Sequence, residues 1–241
     1  NTPQRVSLTF SKDNYLNVTR SETRTASGVV TINGTMISKF SPISATTTID
    51  ATQGGEIVLA LNNTKVSFPK DAFVDKTGKA YNGIVNIALA HLDPTADNFD
   101  MLIPGGDMTA KNIEGKSGII IPYGIIKVEL TDMSGNKIQL AGGDKVAEIS
   151  VFVPDEIRSH APATIPLWHF DEQKGIWIEE GSANLIGSYY EGTVSHFTDW
   201  NCDVWSENQA TITGSVTDAN GNPMAGVNVK TGFTSTVTDE K

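Results

Sequence analysis

The chain has 241 residues, 39% of them apolar, enough to bury an ordinary core in one large domain or roughly two or three small ones. Its formal net charge is −10 and no cluster of Lys or Arg interrupts that acidity, which excludes nucleic acid and anionic membranes as partners. The single cysteine, Cys202, excludes an internal disulfide and a cysteine-based zinc site, and no apolar run approaches the ~18 residues a membrane helix needs.

Residues 1–50 are rich in Ser and Thr and poor in large apolar residues, which predicts light strands at a sheet edge or a small separate unit. Val6, Leu8 and Phe10 alternate with polar residues, as do Val30 and Ile32 around Thr31. Asn1-Thr2-Pro3 reads as a start inside a longer chain. Residues 51–206 hold all four tryptophans and form the main β-region. There, 56–61, 84–92 and 146–153 read as longer strands, partly buried on both faces, and 127–131 alternates with period two. Gly54-Gly55, Lys76-Thr77-Gly78, Met133-Ser134-Gly135-Asn136 and Gly142-Gly143-Asp144 punctuate them as turns. One helical turn is predicted at 154–158, stopped by Pro162 and Pro166. A hairpin is expected around Gln173-Lys174-Gly175, with Trp177 packing across it. Residues 209–241 begin a new unit: strand 210–218, a turn through Asn220-Gly221-Asn222-Pro223, and strand 225–229. Strands at this spacing, with very little helix, predict an all-β fold of tandem β-sandwich units.

Gly214, Val216, Asp218, Asn220, Gly221, Pro223, Gly226, Val227 and Val229, followed by Thr238-Asp239, resemble the first half of a carboxypeptidase regulatory-like domain. That resemblance implies a partial transthyretin-like sandwich at the C-terminus, whose unpaired edges invite strand exchange. Lys12-Asp13-Asn14-Tyr15-Leu16-Asn17 resembles the closing element of an earlier copy, with Asn14 where that family has glycine. Val66-Ser67-Phe68-Pro69-Lys70-Asp71-Ala72-Phe73 is similar to the opening of the ZU-type sandwich of ankyrins and netrin receptors. Pro166-Leu167-Trp168-His169-Phe170-Asp171-Glu172, Trp177-Ile178-Glu179-Glu180-Gly181 and Ser195-His196-Phe197-Thr198-Asp199-Trp200 resemble its UPA-type partner. The combination, over residues 53–205, also resembles the cartilage intermediate layer proteins and envelope proteins of Bacteroidetes. Those relatives are scaffolds and binding modules. The resemblance therefore implies a non-catalytic structural or protein-interaction module, extracellular or in the cell envelope, whose partner is a protein or a glycan.

Several side-chain groups carry possible chemistry. His196-Phe197-Thr198 resembles the His-Phe-Ser site at which some ZU–UPA tandems cut themselves; Thr198 would attack the Phe197 carbonyl with His196 as base. The bland alternative puts Phe197 in the core. Asp199, Asn201 and Asp203 alternate along an extended segment and point to one face, a possible structural calcium site and the only cofactor expected. Asp93, Asp97 and Asp100 form a second acidic group, in a loop. His91, His160, His169 and His196 lack a short paired spacing, so a two-histidine site with a carboxylate can assemble only in space. Glu179 and Glu180 are adjacent and point to opposite faces of a strand. No nucleophile elbow or phosphate loop is present, so no catalytic constellation emerges and a non-enzyme is expected. Trp205, Tyr189, Tyr190 and Trp200 are the candidates for stacking on sugar rings if the module binds carbohydrate. Trp168 and Phe170 share the opposite strand face from His169 and are expected in the core.

Overall fold

The computed structural model describes residues 4–24, 31–207, 213–231 and 234–238. Asn1-Thr2-Pro3, Val30, Ala210, Thr211, Ile212 and Asp239, which enter the sequence expectations, lie outside them. The chain is all-β. Its strands are β1 (Gln4–Phe10), β2 (Val18–Arg24), β3 (Ser44–Asp50), β4 (Gly55–Val58), β5 (Lys65–Phe68), β6 (Phe73–Asp75), β7 (Ile84–Leu92), β8 (Thr109–Lys111) and β9 (Ser117–Thr131). They continue as β10 (Ile138–Leu140), β11 (Ala147–Phe152), β12 (Thr164–Asp171), β13 (Ile176–Ile186), β14 (Tyr189–Val194), β15 (Asp199–Ser206), β16 (Asn228–Thr231) and β17 (Thr234–Val237). Among the described residues two single-turn helices interrupt them, α1 (Phe99–Leu102) and α2 (Asp155–Arg158).

The main sheet runs in the order β3-β7-β9-β15-β12-β13-β14-β11-β5-β4. It folds over on itself through β13, whose first half pairs with β12 and β8 and whose second half pairs with β12 and β14. A central layer of β3, β7, β9, β15 and β12 thus faces a second layer of β14, β11, β5 and β4. Between them lies an inner core built on Val66, Val85, Ile87, Leu89, Ile126, Ile149, Leu167 and Trp200. The other face of the central layer carries an outer core of Leu16, Ala90, Leu92, Phe99, Ile103, Ile125, Trp168, Phe170 and Trp177. This double burial explains why β7 reads as a nearly continuous apolar run rather than an alternating one.

β9 has Pro122 and Gly124 in its interior, residues that normally break strands. Pro122 falls between the end of pairing with β8 at Ile119 and the start of pairing with β7 at Ile125, so its missing N–H faces no ladder. A bulge there sets Gly124 opposite Cys202 and Pro122 opposite Asp203. A Cβ on Gly124 would come within 2.9 Å of Val151 Cγ1 and 3.0 Å of the Phe152 carbonyl oxygen, so glycine lets the two layers approach.

The N-terminal hairpin closes the outer core. Arg5 pairs with Asp107 at 3.0 Å and donates to the Gly175 carbonyl at 2.7 Å, while the Ser21 N–H donates to the Gly105 carbonyl at 3.0 Å. Residues 44–50, part of the Ser/Thr-rich segment, form β3 and pair with β7 along its length. Thr31 and Ile32 carry no strand, and the strand expected at 56–61 stops at Val58, where Leu59 begins a turn. Toward the C-terminus, Asp218 caps the turn before Pro223, and β16 pairs with β17. Residues 213–216 are not strand; Thr217 makes a single bridge to Pro223.

Candidate functional site

The richest group of chemical side chains gathers on the inner face at one end of β12. His169 pairs with Ile178 on β13 and with Trp200 on β15. Directly opposed residues share a face, so these three project together, and Glu180, two residues beyond Ile178, joins them. One extra residue on β13, between the pairs Trp168–Glu179 and Pro166–Ser182, makes a bulge just past Glu180, where Gly181 has φ of 81°. His196 comes from the connection between β14 and β15. Its carbonyl accepts the Trp200 indole N–H at 2.9 Å, which ties that connection to the strand.

Glu180 Oε2 lies 3.2 Å from His196 Nε2 and 3.7 Å from His169 Nε2. The Ser195 hydroxyl donates to the other carboxylate oxygen at 2.9 Å. The two imidazoles meet edge to face, with ring centroids 4.7 Å apart. One ligand atom from each of His169, Glu180 and His196 falls within 4.8 Å of the other two. Partial burial pushes the Glu180 carboxyl up, but the hydrogen bonds from Ser195 and His196 outweigh it and hold the group below the usual carboxylate range. Burial, reinforced by His196, holds the His169 imidazole down despite the opposing pull of Glu180. The side chains are 18% (His169), 28% (His196) and 43% (Glu180) exposed, so solvent reaches the cluster.

Next to it, Phe197 is buried and its backbone is held at both ends by Gln139. The Phe197 N–H donates to Gln139 Oε1 at 2.6 Å, and Gln139 Nε2 donates to the Phe197 carbonyl at 2.8 Å. The Thr198 hydroxyl bonds the Asp199 carbonyl at 3.3 Å, while His196 Nε2 is directed at Glu180. Hydroxyl and imidazole are thus engaged elsewhere rather than with each other.

Asp199, Asn201 and Asp203 do share a face, the outer one, and all are buried. Lys127 Nζ contacts both Asp199 oxygens, at 2.7 and 2.8 Å, and Asn201 Nδ2 donates to Asp203 Oδ2 at 2.6 Å. A calcium ion would therefore have to displace an ammonium from the same carboxylate. Burial pushes the Asp203 carboxyl well up, against the opposing pull of the Tyr123 backbone N–H. A cleft of about 200 Å³ opens beside Lys127, Glu129, Glu172 and Thr198, smaller than the ~300–1,000 Å³ of ordinary small-molecule sites.

The sugar-stacking candidates divide. Tyr190 and Trp200 are core residues and so are not placed to stack on a sugar: Tyr190 sends its hydroxyl to the Pro162 carbonyl at 2.8 Å, and Trp200 lies against the histidines. Tyr189 and Trp205 are half-buried. Tyr189 packs on Phe152, and Trp205 stacks on Trp168 with centroids 5.6 Å apart. His91 is sealed, its ring nitrogens bonded to Asn62 and the Phe152 carbonyl.

Taken together, these features define a β-sandwich module with Trp168, Trp177, Trp200 and Tyr190 in two cores and, among the described residues, a histidine–carboxylate group open to solvent. The chain is similar to cartilage intermediate layer protein 2 of Mus musculus, at 28% identity over 182 residues. The match covers 72% of this chain and 14% of that protein's length. No protein-family profile and no solved structure matches. Among the described residues no helix is long and apolar enough to cross a membrane.

Proposed function

We propose that this chain is a non-catalytic structural and protein-interaction module of a larger extracellular protein. The similarity to cartilage intermediate layer protein 2, a protein named for a tissue layer, carries this reading. The fold supports it, because Trp168, Trp177, Trp200 and Tyr190 are buried in the two cores, where they stabilise the molecule. β4, the last strand of its layer, leaves Val58 exposed, with Leu61 exposed in the turn beyond it, an edge suited to strand addition by a partner. Within the same reading, the module belongs to a bacterial envelope protein of Bacteroidetes type, and residues 209–241 belong to a carboxypeptidase regulatory-like domain.

Carbohydrate binding is the second reading, and half-exposed Trp205 and Tyr189 are what favours it. Affinity electrophoresis through gels carrying polysaccharides separates the two. Unretarded migration in every gel is the expected result. Retardation by one polysaccharide, lost in Trp205→Ala or Tyr189→Ala, would replace the scaffold reading by a carbohydrate-binding one. Intact mass of the purified chain tests self-cleavage in parallel: one species is expected, and two fragments meeting between Phe197 and Thr198 would establish it.

A further inference from the structure

The donor set at the sandwich rim is that of a metal site. We propose that His169, Glu180 and His196 bind a divalent first-row transition-metal ion, with zinc(II) the ion whose preferences fit best. Two imidazole nitrogens and one carboxylate oxygen suit zinc, whereas calcium and magnesium take oxygen ligands almost alone. Tetrahedral zinc with bonds of roughly 2.0–2.2 Å spaces its ligand atoms about 3.3–3.5 Å apart. The two distances from Glu180 Oε2, 3.2 and 3.7 Å, bracket that spacing. The third side of the triangle is within 4.8 Å and closes by a small rotation of partly exposed side chains, one of them on a connecting segment.

The surroundings hold the donors in place. Ser195 occupies Glu180 Oε1 and leaves Oε2 toward the histidines. Trp200 and Gln139 fix the backbone on either side of the His196–Phe197 peptide. One support is missing: His169 Nδ1 is buried without a hydrogen-bond partner among the described residues. Such outer partners are worth roughly 10–100-fold in metal affinity, so zinc should bind that much more weakly than at a site with both imidazoles supported. Three protein donors leave the fourth position open to water or to a carboxylate or imidazole from a partner. The ion would clamp the β12–β13 hairpin to the β14–β15 connection.

The test is calorimetric titration of zinc chloride into the whole chain, with histidine ring resonances followed by NMR. One equivalent should bind, the His169 and His196 ring signals should shift, and those of His91 and His160 should not. His169→Ala and His196→Ala should each weaken binding at least tenfold, and Glu180→Gln, a milder change at a part-exposed position, severalfold. Exposed His160→Ala should leave it unchanged, and calcium chloride should give no heat at this site. Absence of a one-to-one event in the wild-type chain, or binding that moves the His160 resonances instead, would overturn the proposal without reliance on any variant's folding.

Discussion

The two faces of the central layer bury polar groups of opposite acid–base character. On the outer face, β15 places Asp199, Asn201 and Asp203 among Trp168, Ile125 and Leu16, so buried carboxyls lie there, Asp199 paired with the buried Lys127. On the inner face lie two imidazoles, sealed His91 from β7 and open His169 from β12, with the buried Cys202 thiol beside them in the core. Each face therefore resists a different change of pH. The difference teaches that a strand's two-residue period can divide protonation chemistry as cleanly as it divides apolar from polar.

The outer face should give the largest losses. Trp168 is fully buried, with its indole N–H on the Asp203 carbonyl at 3.0 Å, so Trp168→Ala should cost about 3–5 kcal/mol in urea unfolding. Lys127→Met should cost a similar 3–5 kcal/mol, because it strands the buried Asp199 carboxylate. The double change Lys127→Met with Asp199→Leu should recover most of that loss, and failure to recover would show that the pair itself stabilises the fold.

The pH dependence sharpens the contrast. Burial holds His91 at about 4, below its ordinary value. Between that value and ~6.5 the unfolded chain binds a proton that the folded chain does not, so stability is lost as pH falls. Over that window the wild type should lose about 3 kcal/mol more than His91→Gln, read from urea midpoints at each pH. Asp203 has the opposite sign. Its folded carboxyl keeps a proton that the unfolded chain gives up above ~3.9, so its contribution is lost as pH rises. Asp203→Asn should remove that decline while leaving the His91 slope in place.

The smallest effect tests how the hairpin of β1 and β2 seats on the outer face. Gly175 has φ of 67°, and a Cβ there would fall 2.2 Å from Ser21 Oγ and 2.5 Å from Ser7 Oγ. Gly175→Ala should cost about 1–3 kcal/mol and raise amide exchange in β1 and β2 ahead of β7. Equal exchange in all three strands would mean that the hairpin unfolds only with the whole domain.

Local signals in the sequence matched elements that local physics specifies. The apolar run at 84–92 is β7 end to end, the helical turn near Pro154 is α2, and Trp177 packs on Phe170 across the β12–β13 hairpin at 5.3 Å. Residues 44–50 form β3 at the edge of the main sheet, as a light Ser/Thr-rich strand predicts, whereas the alternation at 127–131 marks only the end of β9, where Pro122 and Gly124 fit because a bulge coincides with a gap between partners. Of the site, the opposed directions of Glu179 and Glu180 were legible: Glu179 accepts the Ile113 N–H, while Glu180 meets the histidines. The burial of Trp200 and Tyr190 was not, since exposure depends on which layer covers a strand.

The sequence by itself determined the all-β class, most strand positions and the side of its strand on which each of His169 and Glu180 lies, because turns and two-residue alternation are local. Only the tertiary structure decided that His169, Glu180 and His196 converge, since they sit on three segments whose meeting depends on strand order. It also decided which buried carboxyl received a lysine and which did not. Register across β9 and β15 sets that choice, putting Lys127 opposite Asp199 and Pro122 opposite Asp203.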